Sequence, residues 1–123
     1  MIDSEKRILI IDPDENDRNV MATYLRQYNF SVETGKGLSD ALKKVTVDSY
    51  DCLIMDVDLP EMKGFDAVSI FRKIDPKIKV IMTAKKNSME LESKVREQDI
   101  YYYFIKSFGK DELRLVINNA LNP

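Results

Sequence analysis

Short apolar runs and longer amphipathic stretches alternate five times along the chain. Residues 6–11 (KRILII) are almost continuously aliphatic, and 51–56 (DCLIMD) and 78–83 (IKVIMT) repeat the pattern. Runs of this length without polar alternation are the mark of strands buried on both faces. Residues 30–34 (FSVET) alternate more, and 101–105 (YYYFI) is aromatic. Between these runs the apolar residues recur at helical spacing. Val20, Met21, Tyr24, Leu25 and Tyr28 mark a helix over 14–28. Leu38, Ala41, Leu42 and Val45 mark a second after Gly37, and Phe65, Val68, Phe71 and Ile74 a third. A fourth, over 87–98, has few apolar residues (Met89, Leu91, Val95), and Asn87 with Glu90 is placed like a capping-box variant. Leu113, Val116, Ile117, Ala120 and Leu121 give the last helix a strong apolar face. Five strand–helix repeats of this kind predict an α/β fold, a parallel sheet covered by helices on both sides.

At 123 residues the chain is expected to form one domain, residues 1–123. A net charge of -2 argues against binding nucleic acid through a basic face. One cysteine, Cys52, excludes an intramolecular disulfide framework. No apolar stretch reaches the roughly 18 residues of a membrane span, and the N-terminal residues lack the apolar core of a signal peptide. These features together predict a cytoplasmic location. The chain has no histidine, so any imidazole chemistry must come from a partner.

In open α/β sheets, ligands bind beyond the carboxyl ends of the strands. The first strand delivers Asp12 and then Asp14, the third Asp56, the fourth Thr83 and the fifth Lys106. Carboxylates a few ångströms apart repel by about 4 kcal/mol at an effective dielectric near 20. A cation relieves that repulsion, and an all-oxygen site with few protein ligands suits Mg²⁺ together with phosphate oxygens. A hydroxyl and an ammonium at the same edge match a phosphoryl group. The residues therefore point to Mg²⁺-assisted phosphoryl transfer.

The spacing of MDVDLPEMKG (55–64), VIMTA (80–84) and YFIKSF (103–108) resembles the receiver domain of two-component response regulators, of the chemotaxis-regulator type. The resemblance covers the full length and implies a flavodoxin-like, doubly wound sheet with strand order 2-1-3-4-5. It implies that Asp56 is the phosphoacceptor. It further implies that Asp12, Asp56 and the backbone carbonyl of Asp58 hold Mg²⁺, and that Lys106 and Thr83 bind the phosphoryl oxygens. Pro60 and Gly64 would shape the loop after Asp56, and Tyr103 falls at the aromatic switch position. The implied partners are a sensor histidine kinase or histidine phosphotransfer protein and a downstream effector or output domain. A homodimer through the 87–121 face is a further expectation. The implied module phosphorylates and dephosphorylates itself without being a multiple-turnover enzyme.

The chain departs from the family at three places. Pro13 stands where the family has a second metal-binding acid. Asp14 reaching back, a site of Asp12 and Asp56 alone, or a domain without phosphorylation are the alternatives, and Asp14 also suits a helix N-cap. Asp58 and Lys85 stand two residues after Asp56 and Thr83, where a contact between them would cover the phosphoryl site. Ser107 replaces the family's proline after the lysine, and a trans bond is expected there. Two other functions stay open: a phosphorylation-independent pseudo-receiver, and a phosphatase resembling the haloacid dehalogenases, suggested by Asp12-x-Asp14.

Overall fold

The computed structural model describes residues 5–122. The aliphatic runs become strands β1 (Lys6–Ile11), β2 (Phe30–Gly35), β3 (Cys52–Asp56), β4 (Lys79–Ala84) and β5 (Tyr102–Ile105). Helices α1 (Glu15–Arg26), α2 (Leu38–Val45), α3 (Gly64–Ile74), α4 (Met89–Arg96) and α5 (Lys110–Leu121) fill the intervals. All strand pairs are parallel and the order is β2-β1-β3-β4-β5, the flavodoxin-like arrangement.

Because side chains alternate across a strand, each central strand supplies two cores. Leu9, Ile11, Leu53, Met55, Val80 and Met82 face one side, where Ala41, Ala67, Val68, Phe71 and Val95 from α2, α3 and α4 cover them. Ile8, Ile10, Cys52, Ile54, Ile81 and Phe104 face the other, against Met21, Ala22 and Leu25 of α1 and Leu113, Val116 and Ile117 of α5. Each fully buried Leu, Ile or Phe contributes about 1.5–3 kcal/mol. The sheet is thereby a rigid platform whose carboxyl edge carries the polar residues.

Several apolar positions do not join these cores. Val20, Tyr28 and Ile74 are exposed, and Met89 is 90% exposed. In α4 only Val95 is fully buried, so this helix is loosely attached, as its composition predicts. Its N-cap is Ser88, whose hydroxyl accepts the Leu91 N–H at 3.0 Å, rather than Asn87. Asn87 is instead engaged by a tyrosine described below. Tyr101 lies outside β5 and is exposed, although its N–H still reaches the Val80 carbonyl at 2.7 Å. After β5 the chain makes a 3-10 turn, Lys106–Phe108, and the Lys106–Ser107 bond is trans as expected. Among the described residues no helix is long and apolar enough to cross a membrane.

Candidate functional site

β1 carries its pairing one residue beyond Ile11: the Asp12 N–H donates to the Gly35 carbonyl at 3.1 Å. This draws the Asp12 side chain into the sheet edge, where it is 1% exposed. Its Oδ1 accepts the Asp14 N–H at 2.9 Å across Pro13. Asp14 is the N-cap of α1. Its Oδ1 accepts the Asp17 N–H at 2.9 Å, and its Oδ2 pairs with Lys85 Nζ at 3.2 Å. Both oxygens of Asp14 are thus engaged away from Asp12, which matches the capping reading and leaves the place of the missing acid unfilled from position 14. Those bonds hold the Asp14 carboxyl below the usual carboxylate range, the Asp17 N–H acting most strongly and Lys85 next.

Asp56 ends β3, in register with Thr83 on β4. Its Oδ1 accepts the Asp58 N–H at 2.8 Å, which points Oδ2 toward the site. The following loop folds back on itself. Gly64 N–H donates to the Val57 carbonyl at 2.7 Å and Leu59 N–H to the Met62 carbonyl at 3.2 Å, closing an antiparallel bridge between Asp58 and Lys63. These bonds flank Asp58 and leave its own carbonyl outside the pairing. Gly64 is required by proximity, since a Cβ there would lie 2.1 Å from the Asp56 carbonyl oxygen. Pro60 occupies the outer turn. Next to it, the Glu61 carboxylate accepts the Leu38 and Ser39 N–H groups at 2.9 and 3.1 Å and so caps α2, whose Gly37 has no side chain to do so.

Lys106 binds these pieces together. Its ammonium lies 2.8 Å from Asp12 Oδ2, Asp56 Oδ2 and Asp17 Oδ2. The contact with Asp17 has the best hydrogen-bond alignment; the one with Asp12 Oδ2 is equally short but less well aligned. Burial pushes the Lys106 pKa down, but the three carboxylates outweigh it and the net shift is upward, so the ammonium stays charged. Asp12 shifts upward as well. Burial is the main cause and the Asp56 charge adds to it, against the opposing pull of Lys106 and the Asp14 N–H. Thr83 Oγ1 is wholly buried at this edge and has no hydrogen-bond partner. A buried hydroxyl left so costs about 1–3 kcal/mol, which suits a position built for a ligand oxygen.

Two residues join the site that the sequence did not single out. Asp17 lies in the first turn of α1, where its place among the acids gave no cue beyond the helix dipole. Arg18, buried, donates from Nη1 to the Asp12 carbonyl at 2.8 Å. The expected contact between Asp58 and Lys85 does not form. Asp58 pairs with Lys63 across the bridge, and Lys85 turns to Asp14 because that N-cap carboxylate is within reach. Tyr103 is half-buried, and its hydroxyl donates to Asn87 Oδ1 at 2.9 Å, tying β5 to the segment before α4. The Asp12–Asp14 pair does not form a phosphatase couple, since the Asp14 carboxylate is turned to the α1 N–H and Lys85.

The residues suit a divalent cation in part. Asp12 Oδ2 and Asp56 Oδ2 are hard oxygen donors facing a common cation, and the Asp58 carbonyl is outside the loop's pairing. Asp12, Asp17 and Asp56 all converge on the Lys106 ammonium at this edge.

The family model for the response regulator receiver domain matches residues 8–118. The chain is 29% identical over 119 residues to the DNA-binding transcriptional regulator NtrC of Azospirillum brasilense, a match covering 97% of this chain and 25% of NtrC. It is 28% identical over 121 residues to the response regulator protein TodT of Pseudomonas putida, covering 98% of this chain and 53% of TodT. The chain thus spans between a quarter and about half the length of these curated relatives. A CheY-like receiver domain from Methanospirillum hungatei superimposes with a TM-score of 0.90 at 25% identity, over 97% of this chain and 95% of that one. TrrA of Thermotoga maritima, solved in complex with Mg²⁺ and BeF, gives 0.83 at 28% identity, over 94% of this chain and 99% of that one. With the strand order, the converging Asp12, Asp56, Thr83 and Lys106, and a family match over nearly the whole length, the chain belongs to the response regulator receiver domains.

Proposed function

We propose that residues 1–123 act as a single cytoplasmic receiver domain in which Asp56 accepts a phosphoryl group from a phosphohistidine. The donor is carried by a sensor histidine kinase or a histidine phosphotransfer protein, as a chain without histidine requires. The observation that supports this best is the pairing of Asp56 Oδ2 with the Lys106 ammonium, beside the unpartnered Thr83 hydroxyl.

In the transfer, a carboxylate oxygen of Asp56 attacks phosphorus in line, an O–P bond forms and the N–P bond of the donor breaks. The departing imidazole keeps the bond's electron pair and takes a proton. Mg²⁺, held by Asp12, Asp56 and the Asp58 carbonyl, would supply charge neutralisation for the phosphoryl oxygens. Lys106 then leaves the carboxylate oxygen for a phosphoryl oxygen, and the Thr83 hydroxyl donates to another. The Asp56 Oδ1 bond to the Asp58 N–H fixes the nucleophile's orientation throughout.

The response to phosphorylation is a change at the face over 87–121. The Tyr103 hydroxyl is bound to Asn87, in the segment that precedes α4. That bond and the lightly packed α4 form the element with two accessible arrangements. An effector, an output domain or a second copy of the chain reads the change. Self-phosphorylation and hydrolysis are then the chain's only chemistry.

Intact-mass measurement after incubation with acetyl phosphate and Mg²⁺ tests this. One phosphoryl adduct is expected on the wild type and none on Asp56→Asn or in chelator. No adduct, or an adduct that survives in Asp56→Asn, refutes the reading. A pseudo-receiver is the second reading, favoured by Asp14 being engaged as a cap in a chain with Pro13; it predicts no adduct with the fold intact.

A further inference from the structure

We infer that Asp17 is the positioning residue for Lys106, and that through the lysine it makes up for the carboxylate that Pro13 removes. This rests on the receiver reading of the site. Lys106 has three donors and three carboxylates at 2.8 Å, and the best-aligned hydrogen bond among them goes to Asp17, the one of the three that lies outside the expected metal ligands. Asp12 and Asp56 lie at the same distance, but they are the two carboxylates that a metal would also engage. A divalent cation and the lysine would compete for the Oδ2 atoms of those two residues. An ammonium tied to a third anchor stays in the site when they turn to the metal.

The anchor is itself held. The Asp17 N–H is donated to the Asp14 cap, which fixes the first turn of α1. The next residue, Arg18, grips the Asp12 carbonyl from the same turn. Two consecutive side chains of α1 therefore hold the site, one through its ammonium and one through its backbone. A generic role for Asp17 as an acid favouring the helix dipole would leave the side chain facing solvent, as Glu15 does. The Asp17 side chain is only 23% exposed and turns inward. Its Oδ2 is committed to the Lys106 ammonium at 2.8 Å, so Asp17 acts on the lysine. Its charge nevertheless stands close to the metal position, as the missing acid's would.

The experiment compares the full chain with Asp17→Asn, Asp17→Glu and Asp66→Asn. Asp66 is exposed on α3, so that last variant is a control for net charge. Two readouts are taken. The first, free of metal, is NMR of the Lys106 ammonium. In the wild type and Asp66→Asn its protons exchange slowly; in Asp17→Asn they exchange faster and the Nζ resonance moves, and Asp17→Glu recovers part of the protection. The second is Mg²⁺ calorimetry. Loss of one charge near a dication weakens affinity on the order of tenfold in Asp17→Asn, with Asp66→Asn unchanged. An ammonium signal unchanged in Asp17→Asn overturns the inference. So does a Mg²⁺ affinity that falls equally in Asp66→Asn, or not at all in Asp17→Asn. A wild type with no Mg²⁺ affinity refutes the metal-dependent function instead, and the ammonium signal then still decides whether Asp17 anchors the lysine.

Discussion

Replacing the phosphoacceptor by its neutral isostere, Asp56→Asn, should stabilise the metal-free protein. Lys106 lies 2.8 Å from Asp12, Asp17 and Asp56, so one positive charge faces three negative ones. At an effective dielectric near 20, the attraction between Asp56 and Lys106 is about 6 kcal/mol. The facing oxygens of any two of these carboxylates are at most twice that contact distance apart. Asp56 therefore repels each of the other two by at least about 3 kcal/mol on the same scale. Attraction and repulsion nearly cancel, and the cost of taking the Asp56 carboxylate out of water remains. Asparagine removes that cost, keeps an oxygen for the Asp58 N–H, and leaves Lys106 with two carboxylates.

The expected gain is about 1–2 kcal/mol, or roughly 4–8 °C in Tm for a domain of this size. Thermal and urea unfolding in chelator measure it. Saturating Mg²⁺ should reverse the order. The wild type gains about 2.7 kcal/mol at a metal concentration of 100 Kd, while Asp56→Asn has lost a ligand and gains much less. If Asp56→Asn is less stable than the wild type by 1 kcal/mol or more in chelator, the carboxylate is a net stabiliser and the picture of acids in unrelieved repulsion fails. Equal responses of the two proteins to Mg²⁺ would sink the assignment of Asp56 as a ligand.

Three further outcomes follow from the geometry. Gly64→Ala puts a Cβ 2.1 Å from the Asp56 carbonyl oxygen, so it should cost about 3 kcal/mol or more and abolish phosphodonor labelling; the urea midpoint and intact mass report both. Burial raises the Cys52 thiol to about 12, so native protein at pH 8 should resist alkylation until urea unfolds it. Folding therefore favours the protonated thiol, and the stability so contributed is present below the ordinary thiol value and lost as pH rises toward 12. The Glu61 carboxyl is held below its usual range chiefly by the Leu38 N–H and then the Ser39 N–H. Its capping of α2 stabilises the fold above the ordinary carboxylate range and is lost as pH falls through the lowered value, so Glu61→Gln should show a shallower loss of urea midpoint on acidification than the wild type.

What the sequence disclosed, and what it hid, divides by whether a strand or a side chain decides the matter. Asp12, Asp56, Thr83 and Lys106 were legible because each ends or follows a run that can only be a buried strand, and the parallel sheet brings those ends to one edge. The side-chain partners were not. Asp14, Glu15 and Asp17 are all acids at the start of α1, and the dipole accounts for each equally well from sequence. Only the rotation of α1 against β1 and β5 assigns Asp14 to the cap, Glu15 to solvent and Asp17 to the lysine. The same limit explains Lys85. Its position two residues after Thr83 suggests Asp58, but a long, flexible side chain finds whichever carboxylate the loops bring near, and that is the N-cap created by Pro13 and Asp14. Proline at position 13 thus does two things at once. It deletes one acid from the edge, and it precedes the cap that fixes the turn from which Asp17 and Arg18 reach back to the site. The proline that stands in place of an acid is also part of the local structure that sets the lysine at this edge.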